Sequence, residues 1–137
     1  MDVQEFLELM KAGRRDFTGV SLKGANLKEA CEEEPGLYLA VSILTKANLE
    51  GVNLEGTQMD STYLKDANLS RANLKNVQLA YSFLQRANLT DADLSGAILH
   101  ESNFDNAVLI GANMSGAEMH QAGFSGANLT GADFSRT

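Results

Sequence analysis

Tryptophan is absent from this chain, proline and cysteine occur once each, and aromatic residues make up only 7% of its 137 positions. A core usually leans on bulky side chains. A chain this poor in them, yet 44% hydrophobic, has to fill its interior with many small, similar units. The apolar share is also too high for a disordered chain. Because Cys31 is the only cysteine, no intramolecular disulfide can form, and a lone thiol fits a reducing compartment. No run approaches the roughly 20 apolar residues needed to cross a bilayer. The opening Met1-Asp2-Val3-Gln4-Glu5-Phe6 lacks the basic start and apolar stretch of a secretory leader. A soluble cytoplasmic protein is expected. Positive charge is scarce too: 11 Lys and Arg against 18 Asp and Glu leave a net charge of -7. That argues against sequence-independent nucleic-acid binding, which needs a basic face to displace counterions.

What the chain does have is a repeat. Every fifth residue from Leu44 onward is Leu, Met or Phe: Leu44, Leu49, Leu54, Met59, Leu64, Leu69, Leu74, Leu79, Leu84, Leu89, Leu94, Leu99, Phe104, Leu109, Met114, Met119, Phe124, Leu129 and Phe134, 19 centres without exception. Two residues before each centre stands a small or β-branched residue, Ala in 12 of the 19 units. Asn or Asp is commonest between the two, as in Ala47-Asn48-Leu49. A period of five fits neither the 3.6 of a helix nor the 2.0 of a strand. Only a chain that turns once per unit keeps every centre inside. Glycine two residues after a centre, as at Gly51, Gly96 and Gly111, suits a corner with positive φ, and Asn76 and Asn106 tolerate the same geometry.

These units resemble the pentapeptide-repeat family, and the match runs through nearly the whole chain. The resemblance implies an all-β, right-handed quadrilateral β-helix, four units to a coil, with coils stacked at strand spacing of about 4.8 Å. The chain is read as one domain, 1–137. Residues 2–12 read as a short capping α-helix: Asp2 and Glu5 make a capping-box-like start, and Val3, Phe6, Leu7 and Met10 form an apolar stripe. Phe17, Leu22 and Leu27 begin the repeats over 15–27. The phase then slips, since Leu27 and Leu44 are 17 residues apart. Residues 28–41, with Cys31, Glu32, Glu33, Glu34 and a Pro35-Gly36 turn signal, are expected to leave the coil as a protruding acidic loop, because an unpaired glutamate cannot occupy a buried centre. Continuous repeats fill 42–137. No capping helix follows Phe134, so tail-to-tail homodimerisation through the last coil is a further expectation.

Written in columns of four units, most outward positions are polar: Asn48, Asn68 and Asn88 stack, as do Asn53, Asn73 and Asp93. One column differs. Ile43, Tyr63 and Phe83 occupy the position before the centre on one face, with Tyr81 around the neighbouring corner. Exposed aromatic clusters are what protein interfaces use, so these four residues, with Glu32, Glu33 and Glu34 of the acidic loop, are the candidate partner-binding residues. The alternative is that the rings pack beneath the 28–41 segment. His100 and His120, also twenty apart, fall on one face near Glu101 and Glu118; surface histidines are the expected reading, and neither a metal nor a cofactor is expected. No nucleophile signature surrounds any serine, and the glycines are spaced for corners rather than for a phosphate loop.

The expected function is therefore a non-enzymatic module that presents a rigid surface to an unidentified protein partner, with neither direct nucleic-acid nor membrane binding. The helix running into Ala12-Gly13-Arg14-Arg15-Asp16-Phe17 resembles the opening of small cyanobacterial family members. The resemblance supplies an alternative: some members imitate a DNA duplex and bind the topoisomerase gyrase. Over 42–137, however, ten acids stand against six bases, and Lys46, Asp66 and Arg86 alternate within one column. A duplex mimic calls for a continuous acidic strip. A purely structural role is the remaining alternative.

Overall fold

A computed structural model describes residues 1–33 and 38–137. From Asp16 onward the backbone pairs with itself in parallel, one residue per side: Ile43 with Tyr63, Asn48 with Asn68, Asn53 with Asn73 and Gln58 with Gln78. Each partner in these pairs lies twenty residues further on, so four five-residue units close one coil and like positions stack in columns. Sides one to four are numbered here by their centres, Leu44, Leu49, Leu54 and Met59 in the first uninterrupted coil.

The unit around Leu69 shows why five residues suffice, because all five of its N–H groups are accounted for. Asn68 donates to the Ala47 carbonyl one coil back at 2.9 Å, and Leu69 to the Asn88 carbonyl one coil on at 2.7 Å. The Ser70 N–H goes to the Asn68 side chain, Oδ1 at 3.1 Å. Arg71 donates to the Thr90 carbonyl at 2.9 Å, and Ala72 donates across the turn to the Leu69 carbonyl at 3.1 Å. That turn needs positive φ at its third residue, the type II pattern. Arg71 adopts φ 57° there, and twelve other non-glycine residues among those described also have positive φ, so the corners are left-handed whether or not glycine occupies them.

Inside, Leu49, Leu69, Leu89 and Leu109 are stacked fully buried on side two, with Val52, Ala72, Ala92 and Ala112 filling the space beside side three's centres. Burying each leucine contributes about 1.5–3 kcal/mol. Five hydroxyl residues among those described also face inward. Four satisfy their O–H on a carbonyl: Thr57 on Leu54 at 2.7 Å, Thr62 on Met59 at 2.5 Å, Ser82 on Met59 at 3.1 Å and Ser102 on Leu79 at 2.6 Å.

Helix α1 spans Val3–Lys11, and the Asp2 side chain accepts the Glu5 N–H at 2.8 Å. It buries Phe6, Leu7 and Met10 over the first coil, with Phe6 against Phe17 at 4.6 Å between ring centroids. At the other end of the stack the centres are only partly covered. Leu129 is 37% exposed, and among the described residues no acceptor is found for the N–H groups of Met119, Phe124, Leu129 and Phe134.

The interruption differs from the loop expected over 28–41. Residues Leu27–Glu33 form a second helix, α2, which buries Leu27 and Ala30. The coil resumes earlier than the leucine spacing suggested. Leu39 is buried as a centre of side four, one coil before Met59, and Thr62 Oγ1 donates to its carbonyl at 3.2 Å, as Ser82 does to Met59. Asp16 pairs with Ile43, Ser21 with Asn48 and Asn26 with Asn53, each twenty-seven residues apart instead of twenty. The insertion is thus seven residues, and helix formation lets its glutamates face outward while Leu27 and Ala30 stay covered. Glu34 and the Pro35-Gly36 pair lie outside the described residues.

Candidate interaction surface

Side one carries the unusual column. Ile43, Tyr63 and Phe83 pair in succession through their backbones, and the Tyr63 and Phe83 rings are nearly parallel, 11° apart with centroids at 4.9 Å. That separation is close to the spacing of successive coils, about 4.8 Å. The rings do not pack beneath the interruption: Tyr63 is 42% and Phe83 39% exposed.

These three residues stand where a neighbouring side has asparagine, and the replacement has a cost. On side two, Asn48, Asn68 and Asn88 each accept the N–H two residues on, at Glu50, Ser70 and Thr90. An apolar residue cannot do this. The corresponding N–H groups of Thr45, Lys65 and Gln85 find no acceptor among the described residues. Higher on side one the arrangement returns: Asn103 Oδ1 accepts the Asp105 N–H at 2.8 Å, and Asp105 accepts the Ser125 N–H at 3.0 Å. On side one the loss is confined to the three coils that carry the apolar column; on other sides the N–H groups of Asp60, His100 and Ile110 also find no acceptor among the described residues.

The corner between sides four and one is unusual as well. Its left-handed positions are Val41 (φ 62°), Ser61, Tyr81 (φ 59°), Glu101 and Gln121, with no glycine, asparagine or aspartate among them. A β-branched residue with positive φ is a conformational outlier. Val41 is nonetheless 59% exposed and Tyr81 54% exposed, in the column beside Ile43 and Phe83. The boundary expected at 28–41 puts Val41 inside the interruption and not at a corner. The signal was available, since Leu39 continues the phase of five backward from Leu44 and puts Val41 at a corner.

On the opposite flank, the corner between sides one and two, Lys46, Lys65 and Arg86 are exposed. Arg86 donates to both carboxylate oxygens of Asp66, at 2.7 and 2.9 Å. These bonds, with the charges of Arg86, Lys65 and Lys46, hold the Asp66 carboxyl below the usual carboxylate range. No ion pair is found for Lys46 or Lys65 among the described residues.

The acidic half of the expected site lies elsewhere. Glu32 and Glu33 sit in the last turn of α2 and are exposed. Lys28 on the same helix reaches Glu32 at 3.9 Å and Glu55 at 3.5 Å. A groove of about 340 Å³ there is lined by Cys31, Glu32, Tyr38, Glu55, Thr57 and Gln58, from α2 and sides three and four. Burial first, then the Glu32 charge, pushes the Cys31 thiol up, away from the reactive thiolate. The structure therefore gathers Ile43, Tyr63, Phe83 and Tyr81 and separates them from Glu32 and Glu33.

The histidines share one column as their spacing predicts, with their rings edge to face and centroids 6.4 Å apart. His100 Nδ1 accepts the His120 N–H at 3.2 Å, so its proton belongs on Nε2, which faces Glu118 Oε2 at 3.2 Å. Both ring nitrogens are engaged in holding coils together. Among the described residues no group of three or more His, Cys, Asp or Glu could hold a metal ion, and no helix is long and apolar enough to cross a membrane.

A chain folded in this way is a β-solenoid repeat protein. The family of pentapeptide repeats (8 copies) matches residues 42–79, 72–109 and 97–136, and the chain belongs to that family. Among solved structures it is similar to Rfr23, a pentapeptide repeat protein from the cyanobacterium Cyanothece 51142, at 29% identity and TM-score 0.77 over 95% of both chains. A pentapeptide repeat protein of the Arabidopsis thaliana thylakoid lumen matches at 27% identity and TM-score 0.60, over 90% of this chain and 68% of that one. QnrB1, a plasmid-mediated fluoroquinolone resistance protein, shares the fold at 17% identity and TM-score 0.55, over 88% and 72% of the two chains. These neighbours make the solenoid a right-handed β-helix. No curated protein matches the chain.

Proposed function

We propose that this protein is a non-enzymatic interaction module that holds a protein partner on side one. The observation that carries the reading is the replacement of asparagine by Ile43, Tyr63 and Phe83 in three consecutive coils, which gives up a side-chain cap in each coil and leaves two stacked rings at 42% and 39% exposure. The core does not need those side chains, since the centres Leu44, Leu64 and Leu84 behind them are already buried. Apolar surface that the fold does not use, on a rigid scaffold, is what an interface needs. Val41 and Tyr81 widen the patch at a corner where glycine would be easier.

The test is capture from a lysate of the source organism on immobilised protein, comparing the natural chain with Tyr63→Ser/Tyr81→Ser/Phe83→Ser, once circular dichroism shows the variant folded. A partner retained only by the natural chain supports the reading and locates the surface. A topoisomerase retained equally by both would move the function to duplex mimicry, although the Arg86–Asp66 pair and the exposed Lys46 interrupt any acidic strip there. A natural-chain lane with no specific partner would leave the purely structural role.

A further inference from the structure

The aromatic column has one basic flank, and that says which kind of segment it fits. On the corner shared with side two, Lys46, Lys65 and Arg86 line the three apolar coils, with Asp66 the one acid among them, already bound to Arg86. On the corner shared with side four the three apolar coils carry one charged residue among those described, Asp60, whose Oδ1 accepts the Ala80 N–H at 2.9 Å, with the exposed Glu101 one coil above and the exposed Arg14 one coil below. Asp105 stands one coil above the basic group and is occupied by Ser125. In a chain whose net charge is -7, a basic border beside two exposed aromatic rings runs against the background.

We infer that side one takes an acidic protein segment: apolar side chains seated on Tyr63 and Phe83, and Asp or Glu side chains directed at Lys46 and Lys65. The inference rests on the proposed use of side one as an interface and adds the partner's chemistry. Lys46 and Lys65 are the recognising groups, because they are exposed and have no ion pair among the described residues, whereas Arg86 is already committed to Asp66. Opposite charge across an interface fixes partner choice and speeds encounter. The ring column fixes position, because the parallel rings offer one continuous apolar strip.

The experiment uses a library of random twelve-residue peptides displayed on phage and selected on the full chain. Enriched sequences should combine Asp or Glu with Leu, Ile or Phe. A synthetic peptide of the enriched sequence should bind Lys46→Glu/Lys65→Glu at least tenfold more weakly, and its affinity for the natural chain should fall as sodium chloride is raised. That variant keeps the Arg86–Asp66 pair and every buried residue, and its melting temperature checks its fold. Peptides with no acidic bias, or binding the charge-reversed variant within twofold, overturn the inference. If such peptides still lose binding to Tyr63→Ser/Phe83→Ser, side one remains an interface and only the acidic partner is rejected. If they bind that variant unchanged, or if no peptide is enriched over a control protein, both readings fall.

Discussion

Sides one and two of the solenoid have the same interior and different exteriors. Behind both, leucine centres are buried to the same degree: Leu64 and Leu84 on side one, Leu69 and Leu89 on side two. In front, side two carries Asn48, Asn68 and Asn88, each closing its own corner by accepting an N–H. Side one carries Ile43, Tyr63 and Phe83, which close nothing. A repeat fold thus separates two demands that most globular proteins mix. Inward positions decide whether the coil forms, and the position just before each centre can be given to local stability or to recognition. Side two uses it for the first and side one, on the reading proposed here, for the second.

The largest test of that division lies in the shared interior. Leu84→Asp and Leu89→Asp should each bury an unpaired carboxylate and cost about 4 kcal/mol or more, enough to abolish the cooperative thermal transition followed by circular dichroism. The two should be equally damaging although their sides differ outside. Leu129→Asp, at the same column position as Leu89 but 37% exposed, should lower the melting temperature far less. Tolerance of Leu89→Asp with an unchanged transition would overturn the buried-centre account.

A smaller effect separates the exteriors. Asn88→Ala removes the acceptor of the Thr90 N–H at 3.1 Å and of its hydroxyl at 2.7 Å, and should cost about 1 kcal/mol. Phe83→Asn does the reverse. It offers Gln85 an acceptor and breaks a ring stack worth about 0.5–1.5 kcal/mol, so it should leave the denaturant midpoint nearly unchanged while removing partner binding. If Phe83→Asn proves as destabilising as Asn88→Ala, the rings serve the fold.

Much of this was legible in the sequence, for a physical reason. Each unit meets only its neighbours, so a column drawn by counting twenty residues is a contact in space. That is why Tyr63 and Phe83 are adjacent as drawn. What was not legible is where the counting breaks. Glu32 and Glu33 show that something leaves the coil, but the same residues suit a loop or the outer face of a helix, and the seven-residue α2 was read as loop. The early resumption at Leu39 was hidden by the same break, and with it the corner role of Val41. Hydrogen bonds from side chains to the backbone, such as His100 to His120, depend on rotamers that spacing does not supply.

That missed corner yields a gentler perturbation. Val41→Gly relieves a left-handed β-branched residue but frees the unfolded chain, and the two effects oppose each other at about 1 kcal/mol each. The melting temperature should therefore stay the same or rise slightly, whereas Gly51→Val on the corner between sides two and three should lower it. The two corners have the same φ, 62° and 64°, so the contrast isolates the residue from the site. A clear loss of stability in Val41→Gly would show that the valine side chain supports the coil instead of a partner.

The smallest expected effect concerns the charged border of side one. The Asp66 carboxyl is held below the usual range chiefly by its hydrogen bonds from Arg86. A carboxylate whose pKa is depressed by folding stabilises the folded state above its unfolded value, about 3.9, and that contribution is lost as pH falls through the lower folded value. Asp66→Asn should therefore melt slightly below the natural chain at neutral pH, and the gap should narrow progressively as the pH is lowered below the unfolded value of about 3.9. The carboxyls of Asp16, Asp93 and Asp133, also held low, titrate in both proteins and cancel from the difference. Added salt should narrow the gap at neutral pH, because the pair is exposed and screened. Equal melting temperatures at neutral pH would mean that Asp66 acts through its shape at a left-handed corner, which Asn reproduces, and that its charge contributes nothing to holding Arg86 in the border.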